Sequence, residues 1–208
     1  MLNVVARVYV NRVTEPLGRW LVARRITPDA VTLAGTAGSV AAALWFLPRG
    51  QLFIGTLVVT LFVLFDLVDG AMARARGRGT PFGAVLDSTC DRIADGALFA
   101  ALTWWALDVG EARLLGVAAL ICLVAGQLIS YIKARAEGAG LRVTGGLVER
   151  AERLILALVG TGLAGLGVPY ALDLALWVLA AASLWTVGQR LVEARRSARE
   201  LPPDPAAP

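Results

Sequence analysis

The chain has 208 residues, and 57% of them are apolar before its 22 glycines are counted. Soluble globular proteins hold about 45–50% apolar residues with glycine included, so this composition excludes an ordinary soluble fold. The 20 basic and 16 acidic residues lie in clusters between apolar stretches, a pattern that argues against a nucleic-acid surface. We therefore predict an all-α, polytopic membrane protein.

The first 25 residues mix apolar side chains with five arginines and contain Pro16. Such a segment is too charged to span a membrane, and it lacks the uninterrupted apolar core of a signal peptide. We predict an interfacial amphipathic helix over residues 1–25, broken near Pro16.

Six largely apolar segments follow within residues 26–199, and we predict that each crosses the membrane. They run from Ala30 to Pro48, Leu52 to Ala73, Gly83 to Leu107, Leu114 to Lys133, Leu154 to Val168 and Leu172 to Arg190. The proline-rich tail over residues 200–208 is predicted to be disordered.

The basic residues set the orientation of these segments. Eighteen of the 20 lie in the N-terminal segment or at segment ends and loops on the same side of the predicted bundle as that segment. Only Arg49 and Arg113 lie on the opposite side. Because cytoplasmic loops retain Lys and Arg, we predict a multi-pass protein of the inner (plasma) membrane with both termini in the cytoplasm.

Histidine is absent, and both cysteines, Cys90 and Cys122, lie inside apolar segments. We interpret the cysteines as core residues, since they support neither a disulfide framework nor a CxxC zinc site. Metal ligation and proton transfer therefore depend on carboxylates.

Aspartates break the apolar pattern of the second and third segments. Asp66 and Asp69 lie at the cytoplasmic end of the second segment, and Asp87 and Asp91 lie at the start of the third. Each pair shares a helix face and the connection is short, so an antiparallel hairpin brings the four carboxylates together. Each carboxylate near hydrocarbon costs on the order of 3 kcal/mol, so cations are required among them. Asp95 lies outside this set and is expected only to pair with Arg92.

Four converging carboxylates form a hard oxygen site, suited to Mg2+, Mn2+ or Ca2+ and unsuited to zinc. They can bridge two ions about 3.5–4 Å apart, an arrangement that clamps a phosphoryl group. Gly70 and Gly83 leave room for a bulky ligand, and Arg74 can pair with phosphate oxygens. The alternative is simple pairing of the aspartates with nearby arginines, which explains neither the spacing nor the two glycines.

These residues resemble the signature of the CDP-alcohol phosphotransferase family. The pattern is Asp66-x2-Asp69-Gly70-x2-Ala73-Arg74-x8-Gly83-x3-Asp87-x3-Asp91, with every fixed position present. The resemblance implies a homodimeric enzyme in which an alcohol attacks the β-phosphorus of a CDP-linked lipid and CMP leaves.

By that resemblance, one Mg2+ (or Mn2+) would be held by Asp66, Asp69 and Asp87, and the second by Asp66, Asp87 and Asp91. Asp91 would also take the proton of the attacking hydroxyl, and Gly70, Arg74 and Gly83 would contact CDP. The segment TPDAVT is similar to the family's nucleotide-side element, which adds Asp29, Ala30, Val31, Thr32 and Thr80. This chain has Asp29 where the family pattern has Asn, and the alternative that Thr27 or Asp29 caps a helix stays open.

The resemblance also bears on the acceptor. The segments SYIKARAEGAGL and ERAER are similar to the bacterial phosphatidylinositol phosphate synthases, which use inositol 1-phosphate. The glycerol 3-phosphate branch, our alternative, more often carries Pro-x-x-Asp-Lys where this chain has DSTCDR. Independently, residues able to hold a phosphate lie at the cytoplasmic ends of segments four to six: Ser130, Lys133, Arg135, Arg153 and Arg195.

Two of these interpretations have competitors. Lys133 and Arg135 can instead be positive-inside anchors, whereas Arg153 can join a network with Glu149 and Glu152. The aspartates can instead form the relay of an ion transporter. A transporter requires polar residues as far as the opposite face, yet residues 97–107 and 52–63 are almost wholly apolar, so we favour the transferase.

Small residues that permit close helix approach, within one bundle or between protomers, occur in segments one and five. They are Gly35, Gly38, Gly160, Gly162, Gly165 and Gly167.

Overall fold

The computed structural model describes Pro16, Gly18 and residues 20–75 and 80–200, with side chains throughout except at 66–71 and 73–75. Over these ranges the chain is all-helical, as predicted. The predicted interfacial helix lies mostly outside the described residues, and its described end is helical to residue 23 and then turns. The predicted tail beyond Glu200 also lies outside them.

Six α-helices are described between residues 28 and 200, and each coincides with one predicted apolar segment. They are α1 Pro28–Phe46, α2 Leu52–Ala75, α3 Pro81–Asp108, α4 Arg113–Gly138, α5 Arg150–Gly165 and α6 Ala171–Glu200, with a 3-10 turn Leu47–Arg49 after α1.

Side-chain caps fix where three of the helices begin. The Thr27 hydroxyl accepts a hydrogen bond from the amide three residues later at 3.2 Å, so Thr27 rather than Asp29 caps α1. Thr80 caps α3 in the same way, accepting from the amide three residues later at 2.9 Å. Helix α5 begins earlier than its predicted segment because Glu149 and Glu152 form a capping box.

Helices α4 and α6 continue well past their predicted ends at Lys133 and Arg190. The predicted segments stop where charged residues begin. A helix nevertheless continues beyond the hydrocarbon when its charged side chains reach water, so the additional turns extend outside the apolar part of each helix.

Three helical stretches among the described residues are long and apolar enough to cross a membrane: Pro28–Arg49, Arg113–Gly138 and Ala171–Glu200. The apolar part of α2, Leu52–Phe65, is shorter. Large apolar side chains are exposed on several helices, including Leu57 of α2 and Leu174 of α6. Exposed apolar surface of this extent is typical of a face that contacts lipid.

The chain divides into two compact units, residues 1–101 and 102–208, with the boundary inside α3. In the first unit α1 packs along α2. A Cβ atom on Gly38 would collide with the Phe62 ring, and one on Gly55 would lie 2.7 Å from Leu47 Cδ2. The close approach predicted at Gly38 therefore occurs between two helices of one chain.

In the second unit α6 packs against both α4 and α5. A Cβ on Gly160 of α5 would collide with Ala175 of α6, which confirms a close approach there. Gly167 makes no close helix approach. It lies in the turn after α5 with a φ of 84°, and a Cβ there would have no atom within 4 Å. Cys122 is buried and donates to the Leu176 carbonyl at 3.5 Å, while Cys90 is also buried and free, as predicted.

Candidate active site

The start of α3 brings together residues that were predicted from separate parts of the sequence. A Cβ on Gly83 would lie 3.0 Å from Thr80 Oγ1 and 3.5 Å from Asp29 Oδ1 of α1. Thr80 and Asp29 thus flank a position that has no side chain. The structure therefore leaves backbone accessible between a hydroxyl and a carboxylate, in the region expected to contact the nucleotide.

The other predicted nucleotide residues of α1 lie in two different environments. Ala30 is exposed, whereas Val31 and Thr32 are buried. The Thr32 hydroxyl donates to the Pro28 carbonyl at 3.2 Å, and Val31 belongs to an apolar cluster with Met72. Within residues 29–32, Asp29 and Ala30 therefore have the more accessible side chains.

The predicted metal ligands of α3 lie one turn apart on the same helix face. Asp87 is exposed, and Asp91 is half-buried one turn deeper. Asp66, Asp69, Gly70 and Arg74 lie on helical backbone of α2, but the side chains of Asp66, Asp69 and Arg74 are outside the described set. Two of the four predicted ligands lie outside this set, and the described residues contain no group of three or more His, Cys, Asp or Glu side chains that could hold a metal ion.

Arg92 lies between two aspartates at the inner end of this row. Its Nη2 is 3.3 Å from Asp95 Oδ2 and 3.8 Å from Asp91 Oδ2. The predicted partnership of Asp95 with Arg92 is confirmed. The guanidinium therefore contacts both a predicted metal ligand and a more deeply buried carboxylate.

Among the predicted acceptor residues of the second unit, Arg153 is distinct because it is only 1% exposed. Its guanidinium lies against Gly126 of α4, where a Cβ would be 3.5 Å from Nε. Ser130 is half-buried and donates to the Gly126 carbonyl at 3.4 Å. The remaining predicted residues, Lys133, Arg135 and Arg195, are exposed. The capping-box glutamates, Glu149 and Glu152, are exposed as well.

Sequence reasoning missed Arg190, which is 5% exposed and ties three segments of the second unit together. Its Nε donates to the Gly145 carbonyl at 3.0 Å, and its Nη1 donates to the Ile129 carbonyl of α4 at 2.6 Å. The available signal was its place at the end of an apolar segment, where a buried charge needs partners. The prediction treated it only as the end of a segment and as one of the basic residues on the cytoplasmic side.

A row of α6 side chains binds the backbone of the α4–α5 connection, residues 139–149. The Gly145 amide donates to Glu193 Oε2 at 2.9 Å, and the amide and hydroxyl of Thr144 both donate to Glu193 Oε1 at 3.1 Å. The same connection donates at three further points to Thr186, Gln189 and Ser197.

We call this row, residues 186, 189, 190, 193 and 197, the α6 clamp. Glu193 lies beyond the apolar segment 172–190, and the hydrogen bonds from Gly145 and Thr144 lower the pKa of its carboxyl. Each member of the α6 clamp has another member three or four residues away, so the row lies along one side of the helix. The connection between α4 and α5 is therefore fixed by side chains rather than by its own secondary structure.

Known proteins match this chain over most of its length. The family model for CDP-alcohol phosphatidyltransferases matches residues 25–188. A phosphatidylinositol phosphate synthase from Mycobacteroides abscessus is 54% identical over 198 residues, covering 95% of this chain and 90% of the relative. One from Corynebacterium glutamicum is 49% identical over 209 residues, covering 99% of this chain and 95% of the relative.

Solved structures agree with the sequence matches. The crystal structure of Mycobacterium tuberculosis phosphatidylinositol phosphate synthase (PgsA1) with CDP-DAG bound has a TM-score of 0.87 at 54% identity, covering 89% of this chain and 95% of that one. The structure of PgsA1 in complex with manganese and citrate has a TM-score of 0.86 at 54% identity, covering 89% of this chain and 90% of that one.

Proposed function

Since this chain belongs to the CDP-alcohol phosphatidyltransferase family and is a phosphatidyltransferase, we propose that its acceptor is inositol 1-phosphate, that is, 1D-myo-inositol 3-phosphate. The reaction moves the phosphatidyl group of CDP-diacylglycerol onto this acceptor and gives phosphatidylinositol phosphate and CMP. The observation that carries the proposal is identity of 54% and 49%, over nearly the whole chain, to relatives named phosphatidylinositol phosphate synthase.

The chemistry is a displacement at phosphorus. A hydroxyl oxygen of inositol forms a bond to the phosphorus that carries diacylglycerol, and the bond from that phosphorus to the oxygen of CMP breaks. The hydroxyl proton passes to a base. Asp91 fits this role because it is half-buried and lies one turn deeper along α3 than Asp87.

Two Mg2+ ions, or Mn2+ ions, are the proposed cofactors, with Asp66, Asp69, Asp87 and Asp91 as ligands. The described part of the site fits such ions, because Asp87 and Asp91 supply hard oxygen ligands from one helix face. Manganese in a PgsA1 structure supports a divalent cation. When bound, the ions stabilise the developing negative charge on phosphate and alkoxide oxygens.

The nucleotide end of the donor is assigned to the start of α3 and the facing end of α1. Thr80 and Asp29 flank Gly83, so a ligand can approach the backbone between them. Gly70 and Arg74 are assigned to the same ligand from the family signature. CDP-DAG bound to PgsA1 supports the donor class.

The acceptor phosphate is assigned to Ser130, Lys133, Arg135, Arg153 and Arg195. Burial favours Arg153 as the strongest member, since a guanidinium removed from water makes stronger hydrogen bonds to phosphate. The exposed members Lys133 and Arg135 can attract the phosphate from solution.

All six helices are proposed to span the inner membrane, with both termini and the active site on the cytoplasmic side and two copies forming a homodimer. Eighteen of the 20 basic residues on one side support this orientation. The three strongly apolar helices support membrane insertion.

The proposal is tested by a panel of acceptors. Purified protein with CDP-diacylglycerol and Mg2+ is given inositol 1-phosphate, free inositol or glycerol 3-phosphate, and release of CMP is measured. We expect fast release only with inositol 1-phosphate. Arg153→Ala should raise the KM for that acceptor, whereas Arg196→Ala, on an exposed residue of α6, should not. A preference for glycerol 3-phosphate would assign the chain to the phosphatidylglycerophosphate branch instead.

A further inference from the structure

Asp95 is a buried carboxylate that the proposed reaction does not use. It is 5% exposed and lies one turn beyond Asp91 on α3. Ionisable side chains within membrane helices are unfavourable unless they are paired, and those that occur usually contribute to function. A residue of this kind beside a metal site therefore requires an explanation.

The contacts of Arg92 provide one. Its Nη2 atom is closer to Asp95, at 3.3 Å, than to Asp91, at 3.8 Å. Asp91 is also the proposed ligand of a divalent cation, so one carboxylate faces two cations, a guanidinium and a metal ion. A guanidinium paired only with Asp91 would compete with the metal for it.

We propose that Asp95 is a positioning residue that holds Arg92 and compensates its charge, so that the Asp91 carboxylate remains available to the metal. This inference rests on the proposed metal site and adds a residue that sets its affinity. When the Asp95 charge is removed, the guanidinium keeps its contact with Asp91 at 3.8 Å, and the surroundings of the metal become more positive by one charge. Both effects weaken cation binding.

The test measures metal binding without turnover. Mn2+ is titrated into the purified full chain in detergent, without substrates, and free Mn2+ is followed by its electron paramagnetic resonance signal. Asp95→Asn should weaken binding about tenfold, as expected for groups in one ion-pair network. The double variant Arg92→Gln/Asp95→Asn should bind within about threefold of the wild type, because the competing cation is gone.

Asp108→Asn is the matched control, since Asp108 is exposed at the far end of the same helix. Wild-type affinity in Asp95→Asn would overturn the inference and leave the proposed function intact. Equally weak binding in the single and double variants would also overturn it, because Arg92 would then not transmit the effect. If Asp95→Asn does not fold, the double variant decides alone, and tenfold weaker binding there is a refutation. A wild-type chain that binds no Mn2+ would overturn both the inference and the proposed metal site.

Discussion

Replacing Glu193 with glutamine should loosen the α4–α5 connection while leaving α6 intact. The carboxylate accepts from the Gly145 amide on one oxygen and from the Thr144 amide and hydroxyl on the other. A glutamine oxygen can replace only one of these oxygens, and its NH2 group would then face an N–H donor. Glu193→Gln therefore loses the hydrogen bonds to one of the two oxygens. Those that remain on the other oxygen no longer have a charged acceptor.

The expected magnitude follows from those bonds. Hydrogen bonds to a charged group contribute roughly 1.5–3 kcal/mol when buried and less near solvent, so we expect local opening to become easier by about 1–2 kcal/mol. That is roughly a five- to thirtyfold rise in the opening equilibrium. Hydrogen exchange of the amides of residues 142–148 should accelerate by this factor, whereas the core of α4 should be unchanged.

The same substitution should affect acceptor binding, because the connection joins α4, which carries Ser130, to α5, which carries Arg153. We expect Glu193→Gln to raise the KM for inositol 1-phosphate and to leave the KM for CDP-diacylglycerol unchanged. Glu200→Gln, on an exposed glutamate of the same helix, is the control. If the amides of residues 142–148 exchanged hydrogen at the wild-type rate in Glu193→Gln, the α6 clamp would not be the element that orders this connection.

The pH dependence has a definite sign. The pKa of Glu193 is lowered in the folded protein, so its contribution to stability is complete above the ordinary carboxyl pKa. It is lost as the pH falls through the lowered folded pKa. The difference in Tm between wild type and Glu193→Gln should therefore be constant near neutral pH and should close only below the ordinary carboxyl value.

Four further outcomes are expected. Asp91→Asn should lower kcat at least about 10^2-fold with a much smaller effect on binding of CDP-diacylglycerol, because the amide cannot accept the hydroxyl proton; near wild-type kcat at all pH values would exclude Asp91 as the base. Excess chelator should abolish CMP release, and added Mg2+ or Mn2+ should restore it; full activity in chelator would contradict the metal mechanism. A cysteine at Leu141 should react with an impermeant reagent only from the cytoplasm and one at Glu111 only from outside; the reverse would invert the topology. Gly160→Ala should destabilise the protein by about 1–3 kcal/mol, because a Cβ there collides with α6, whereas Gly188→Ala, at an exposed position inside α6 with open space around it, should leave the Tm unchanged or raise it, by up to about 1 kcal/mol of stability.

Helix positions were predictable because they depend on local composition. Each described helix coincides with an apolar segment, and Pro48, Gly110 and Pro169 lie outside the α-helices between them. The ends were less predictable. The sequence shows where apolar residues stop, whereas the helix stops where its backbone hydrogen bonds end, and α6 continues to Glu200 for that reason.

The contrast between Asp95 and Arg190 shows which site features a sequence can reveal. Arg92 and Asp95 lie three residues apart on one helix, so helical geometry alone predicts their ion pair. Arg190 instead bonds the carbonyls of Ile129 and Gly145, each more than 40 positions away. Backbone carbonyls carry no sequence signature, since every residue type supplies one.

The proposed metal site is intermediate between these cases, because its aspartates come from two helices, α2 and α3, but the connection between those helices is short. A short connection between antiparallel helices restricts which faces can meet. That restriction allowed the metal site to be proposed from spacing. The proposed acceptor site has no such restriction, because its residues come from three helices, of which α4 and α5 are joined by a long connection. Which of its basic residues is buried, Arg153 rather than Lys133, depends on how those helices pack.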